Sequence, residues 1–416
     1  MAEASDNQRM APARVHRAVD RIGALPDDVL RRVLSQLSSR EAVHTCLLAQ
    51  RWRDLWRSVP IINVSFGEFE DSDDDAEDTF EREAMFKKFV NRFLMLRNPV
   101  GLDEFRLDYS SSTGDRPGDD ANLWISHVLQ CNAWAVKIVN RGEPLELVPG
   151  VFSSSFLKRL HISSAILVPD FFNQLQMGCP ALEYLFLSDC AIRDLEIFSK
   201  TLEVLILSEE VSFDDQASIS APSLVTLSIE GDLCFGRLPI LKNMTSLKTA
   251  SVLLSGDLAD CDADAIRQLL ESLSDVRSLD FCYADRKLMM EKNFRWCPTF
   301  SNLINLTLHT WCVHAEFYGL IVFLQNSPSL KKLTVKLKQE GMSAITGELE
   351  DRSFTCEQLE IVEIICLETS ELLPRVTRFL RDSGIRLDQM RIVTGTKSDV
   401  SVTKNKSDVS GPTAGE

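Results

Sequence analysis

"LEYLFLSDCAIRDLEIFSKTLEVLILS", residues 182–208, holds one six-residue frame twice, L-x-x-L-x-L beginning at Leu182 and again at Leu202. Working outward, the frame recurs upstream as LKRLHI at Leu157 and downstream as LVTLSI at Leu224, LKTASV at Leu247 and VRSLDF at Val276. It continues as LINLTL at Leu303, LKKLTV at Leu330 and LEIVEI at Leu359. Successive starts lie 25, 20, 22, 23, 29, 27, 27 and 29 residues apart. With 44 % of the chain apolar, chance fills three set positions in roughly one window in ten, so nine near-periodic copies are not accidental.

This period and frame are those of leucine-rich repeats. In each unit the last two apolar positions alternate, as in a short strand with one buried face, and the rest of the unit returns the chain. One such turn cannot bury its own apolar edge. The turns therefore stack, and the expected fold is α/β, a solenoid with a curved parallel sheet. Ala250 is the weakest apolar position and predicts an irregular fifth turn. Two earlier segments, LDEFRL at Leu102 and AWAVKIV at Ala133, read as degenerate first turns. The helix AMFKKFVNRFLML puts Phe86, Phe89, Val90, Phe93 and Leu94 on one side. The residues flanking the fourth and sixth frame positions face the concave side. In two neighbouring units these are Tyr184 and Phe186, then Val204 and Ile206, four apolar side chains on strands about 4.8 Å apart. They are the candidate target-binding patch, unless a return loop folds over them.

Residues 25–60, LPDDVLRRVLSQLSSREAVHTCLLAQRWRDLWRSVP, read as three short helices. Pro26 suits a first helical turn, and Asp27 and Asp28 suit the positive end of the helix dipole. Val29, Leu30, Val33, Leu34 and Leu37 form one helical stripe. Ser38 and Glu41 have capping-box spacing, which starts a second helix carrying Ala42, Val43, Cys46 and Leu47. Trp52, Leu55 and Trp56 follow at spacings of three and four. Two apolar stripes exceed what so small a core can use, and no disulfide or metal spacing is present. Either a partner protein covers one stripe, or both are buried against the following domain.

The residues of this stretch carry a family resemblance. LPDDVL, EAVHTCLLAQRWRDLW and the trailing SVP resemble the plant form of the F-box, with a mild departure at Gln50. The resemblance implies docking to a Skp-type adaptor, which is tethered to a cullin. It also implies that Leu25, Pro26, Leu30, Val33, Leu34, Leu37, Val43, Cys46, Leu47, Trp52 and Leu55 form or support the adaptor interface, with Leu30 and Leu34 offered to the partner by the first helix. Residues 300–393 resemble the FBD region that ends many plant F-box leucine-rich-repeat proteins, through FSNLINLTL, LQNSPSLKKLTVKL and the stretch from CEQLEIVEIICL to LDQMRI.

Charge and composition narrow the rest. With 45 basic and 61 acidic residues the net charge is −16, which disfavours a nucleic-acid partner. The run GEFEDSDDDAEDTFERE reads as a solvated acidic linker. No run of 18 apolar residues exists, and the N-terminal residues lack the apolar core of a signal peptide, so the expectation is cytoplasm and/or nucleus with no membrane contact. Eleven scattered cysteines without a C-x-x-C pair read as reduced thiols. HTWCVH brings His309, Cys312 and His314 close in sequence, but no fourth ligand has zinc spacing, and Cys312 and Cys297 read as packed thiols. No metal, cofactor or catalytic residue is expected, since phosphate loop, nucleophile elbow, H-E-x-x-H and RING spacing are all missing.

The expected organisation is a disordered N-terminus over 1–20, an F-box over 21–66, an acidic linker over 67–83 and a solenoid over 84–299. FBD-like C-terminal repeats follow over 300–393 and a disordered tail over 394–416. The expected function is that of a non-catalytic substrate-recognition subunit of a Skp–cullin–F-box ubiquitin ligase, the solenoid holding an unknown target protein. The alternative is a binding scaffold that does not direct degradation.

Overall fold

A computed structural model describes residues 22–69, 79–110, 118–214, 216–232, 238–255, 263–284, 297–313, 317–337, 354, 357–367 and 370–395. Its first strands are β1 Ile61–Ser65, β2 Glu104–Tyr109, β3 Ala135–Asn140, β4 Leu145–Leu147, β5 Arg159–Leu167 and β6 Tyr184–Ile192. Next come β7 Glu196–Phe198, β8 Val204–Ser208, β9 Ser212–Phe213, β10 Ser218–Ser220, β11 Thr226–Asp232, β12 Ile240–Lys242 and β13 Thr249–Ser255. The series ends with β14 Ser278–Ala284, β15 Asn305–His309, β16 Lys332–Leu337, β17 Ile361–Leu367 and β18 Met390–Gly395.

The large sheet runs in strict chain order, β1-β2-β3-β5-β6-β8-β11-β13-β14-β15-β16-β17-β18, with β4 attached to β5 and β9 to β6. Each of its pairings is parallel. Sequential parallel neighbours without a crossover are the signature of a stacked solenoid, and the expected leucine-rich-repeat architecture is what the chain adopts. In all nine frames the second and third apolar positions are buried strand residues, from Leu160 and Ile162 in β5 to Val362 and Ile364 in β17. Among the described residues the strand at Ala250, where an irregular turn was expected, is regular. Ala250 is buried and sits in register between Leu227 and Leu279, because backbone pairing on both sides fixes the strand whatever the side-chain size.

Frame spacing decides how each turn returns. The turns beginning at Leu182, Leu202 and Leu224, spaced 20, 22 and 23 residues, leave too few residues for a helix and its two loops. They return through β7, β10 and β12, which form a second parallel sheet. The longer turns whose return segments are described go back through helices. Among the described residues these are α3 Thr79–Leu96, α4 Asp119–Gln130, α5 Phe171–Gly178, α6 Ala263–Ser272, α7 Tyr318–Gln325 and α8 Leu373–Asp382, preceded near the N-terminus by α1 Asp27–Leu34 and α2 Ser39–His44.

Three boundaries differ from the sequence reading. The solenoid starts inside the stretch assigned to the F-box, since β1 pairs with β2 along its whole length. Both ends of the stretch expected as an acidic linker over 67–83 belong to folded elements. Phe66–Phe69 forms a 3-10 turn whose Phe66 and Phe69 meet Phe86 edge-on at 5.7 and 5.5 Å. At its other end α3 begins at Thr79, and Glu83 is buried, accepting a 2.6 Å hydrogen bond from Tyr109 Oη and pairing with Lys87 at 2.9 Å. The core of the acidic run, residues 70–78, lies outside the described residues, as do residues 1–21 and 396–416. The third difference is at the tail, where residues 394 and 395 still belong to β18, paired with Cys366 and Leu367 of β17.

Candidate functional site

The N-terminal helices form as their local chemistry dictates. Ser38 caps α2 with both halves of the capping box, its hydroxyl accepting from the Glu41 amide and the Glu41 carboxylate accepting from the Ser38 amide. Asp27 and Asp28 occupy the first turn of α1. The third helical element is two short 3-10 turns, Gln50–Trp52 and Leu55–Ser58. Arg51 joins it to the start of α1, donating to Asp27 at 2.7 Å and to the carbonyls of Gly23 and Leu25. Its guanidinium is thereby committed inside the helical unit.

One apolar row of this unit faces inward. Leu30 and Leu34 are fully buried, with Trp52, Leu55 and Trp56 beside them in the same core that continues into the solenoid. Trp56 meets Phe93 of α3 at 5.1 Å. Polar contacts fix the same junction. The amide of Asn63 in β1 donates to Ser39 Oγ at 3.0 Å, Arg97 donates to the Val59 carbonyl at 2.8 Å, and the Asn98 amide donates to the Arg57 carbonyl at 2.9 Å. The helices therefore cap the first turn of the solenoid. Leu30 and Leu34, expected to be offered to a partner by α1, both point into the chain's own core.

A second row faces solvent. Val29 and Val33, one turn apart on α1, are 41 % and 46 % exposed, and Leu47 and Leu48 after α2 are 84 % and 71 % exposed. Pro26 is also exposed, while Leu25, Leu37, Val43 and Cys46 are half-buried. Of the residues implied by the resemblance, Pro26, Val33 and Leu47 thus stand at the surface and the others lie at its edge or behind it. Val29 and Leu48 were missed as surface residues. Val29 had a signal, its four-residue spacing from Val33, but adjacent helical rows 29/33 and 30/34 are both apolar, and periodicity alone does not say which is inside.

The concave face gathers the second set. Tyr184 lies beside Val204, and Phe186 beside Ile206, in register on β6 and β8. All four side chains are half-buried. On the preceding strand Arg159 sits over the Tyr184 ring at 4.6 Å, and His161 stacks on Phe186 with centroids 4.1 Å apart and planes 13° from parallel. Burial, and then the charge of Lys137, push the His161 imidazole down to about 4, so it stacks as a neutral ring. Further along the same face Asp280 accepts from His309 Nε2 at 2.8 Å and pairs with Lys336 at 2.9 Å. Burial alone would raise the Asp280 carboxyl, but these two partners hold it below the usual carboxylate range.

His309 and Cys312, adjacent in the HTWCVH segment, part company in space. The imidazole is tied to Asp280, while Cys312 is buried in the core, which pushes its thiol far up. Burial likewise raises Cys297 to about 12. His314 lies outside the described residues. Among the described residues no group of three metal-ligating side chains converges, the cysteines carry no disulfide, and no helix is long and apolar enough to cross a membrane.

Comparison with known proteins converges on the same two parts. The F-box domain model matches residues 22–63. An F-box/FBD/LRR-repeat protein of Arabidopsis thaliana is 28 % identical over 364 residues, covering 79 % of this chain and 80 % of the relative. A meiotic F-box protein of Oryza sativa subsp. japonica is 27 % identical over 349 residues, 76 % of this chain and 70 % of the relative. A second Arabidopsis F-box/FBD/LRR-repeat protein is 25 % identical over 426 residues, 88 % and 90 % of the two chains. The chain carries an F-box domain over residues 22–63 that caps a leucine-rich-repeat solenoid, and it is similar over most of its length to plant F-box/FBD/LRR-repeat proteins.

Proposed function

We propose that this chain is the substrate-recognition subunit of a Skp–cullin–F-box ubiquitin ligase. The observation that carries the reading is the division of labour within the F-box. One apolar row holds the solenoid, and the other, Val29, Val33, Leu47 and Leu48, has no cover among the described residues. F-box domains in general bind Skp-type adaptors, and an exposed apolar row is what such an interface requires. The concave patch of Tyr184, Phe186, Val204 and Ile206 holds the target. The chain does no bond chemistry itself. It tethers a target beside a ubiquitin-loaded conjugating enzyme, and the rate gain is effective concentration and orientation.

One pull-down with two variants tests both surfaces. Val33→Arg with Leu47→Arg places charges in an interface that excludes water, and adaptor affinity falls well over tenfold while target capture persists. Tyr184→Ala with Phe186→Ala has the opposite outcome, losing target and keeping adaptor. Adaptor binding that survives the first variant at full strength removes the ligase assignment. Target turnover that is indifferent to loss of the cullin establishes the non-degrading scaffold instead.

A further inference from the structure

The F-box does not end its apolar surface at its own last helix. Between α2 and α3 runs a groove of about 340 Å³ with Val43, Trp56, Phe89 and Phe93 on its floor. Met85 and Leu96, 53 % and 49 % exposed, line its two ends. Residues 85, 88, 89, 92, 93 and 96 fall on one face of α3, so the helix presents this side to the groove as a unit. Val43 is half-buried on the floor, and Leu47, four residues on, is the most exposed residue of the solvent-facing row described above. The groove floor thus lies four residues from the exposed F-box surface, across the junction of α2 with the 3-10 turn Thr45–Leu47.

Its rim is cationic. Lys88 and Arg92 are exposed, four residues apart on α3, and neither has an ion-pair partner among the described residues. Like charges at this spacing repel and weaken the helix, an effect that a carboxylate lying along the groove would reverse. An apolar floor with a cationic rim fits an amphipathic helix that carries acidic residues on its flank.

We propose that the α2/α3 groove extends the adaptor interface beyond the F-box domain, receiving a helical segment of the Skp-type adaptor through an apolar face and flanking carboxylates. The proposal rests on the adaptor reading above, and its test separates the two. The full chain is titrated with the purified adaptor, comparing the unaltered protein, Lys88→Glu with Arg92→Glu, Met85→Ser, and Val33→Arg. These side chains are exposed, and thermal melts of each variant verify that the fold is kept. The charge reversal is expected to weaken the adaptor at least tenfold, with a slower association rate and a loss of salt dependence. Met85→Ser is expected to weaken it severalfold. Groove variants that bind within twofold of the unaltered chain, while Val33→Arg loses the adaptor, overturn the groove and leave the F-box reading standing. If Val33→Arg also binds normally, both fall. Concentration-dependent dimerisation that the charge reversal abolishes would make a second copy of this chain the occupant and overturn the adaptor assignment.

Discussion

His161 is the residue where packing most visibly overrides intrinsic chemistry. Its ring lies against Phe186, and burial with the neighbouring Lys137 holds its folded-state value near 4, against an ordinary 6.5. The sign follows from linkage. Between those two values the unfolded chain takes up a proton that the folded chain refuses, so stability falls as pH drops from about 6.5 to about 4 and levels off below. His161→Phe keeps a flat ring on Phe186 and removes the titration. The denaturation midpoint of the variant is then expected to lose part of its decline between pH 7 and pH 4.5, and parallel curves for variant and unaltered chain would show that the imidazole titrates normally. That Phe186 lies beside Ile206, on the solvent side of the sheet, was legible from the frame, because a period of two decides faces strictly. That His161 and Arg159 would lie over its two aromatic residues was not, since it depends on which side chains the register sets opposite one another.

At the scale of the element, α1 shows where pattern reading stops. The capping box of α2 and the acidic first turn of α1 are local chemistry, and both are found where the sequence places them. The choice between rows 30/34 and 29/33 is tertiary, made by Trp56, Phe93 and β1 rather than by the helix. It predicts opposite consequences for neighbouring substitutions. Leu30→Ala removes a fully buried side chain and is expected to cost about 2–5 kcal/mol of stability. Val29→Ala, one residue earlier, is expected to stay within about 0.5 kcal/mol and to act on adaptor binding instead. Chemical denaturation distinguishes the two, and comparable losses from both would place Val29 inside. The strand Ile61–Ser65 went unread for a related reason: IINVS has the alternation of a strand but no L-x-x-L frame, and the acidic run just after it set the expected start of the solenoid too late. Charge density marked residues 67–83 as unlike their surroundings, but it could not report that Glu83, the last of them, would be buried beneath Tyr109.

The whole molecule is a one-dimensional stack, and its ends differ. In a solenoid each turn is stabilised by its neighbours, so a lesion is felt locally and fades along the stack. At the N-terminal end the F-box supplies the missing neighbour of β1. It covers the strand through the Ser39–Asn63 hydrogen bond, and it covers the α3 layer through Trp56 and Phe93. The nine frames made the stack legible and their spacing even separated strand returns from helical ones, but nothing in the periodicity said that the F-box doubles as the cap. The consequence is that deleting residues 22–60 does more than remove the proposed adaptor dock. It bares Phe93, Ile62, Val64 and a free parallel edge. Amide exchange in residues 61–65 and 104–109 is expected to accelerate about tenfold for every ~1.4 kcal/mol of local stability lost. Exchange in residues 305–309 and 332–337, many turns away, should hold constant. The point variants at Val33 and Leu47 should leave both regions unchanged, which makes them the cleaner test of the proposed adaptor surface. Identical exchange at β1 and β2 with and without the helices would show that the F-box is an independent unit hung on a self-sufficient solenoid.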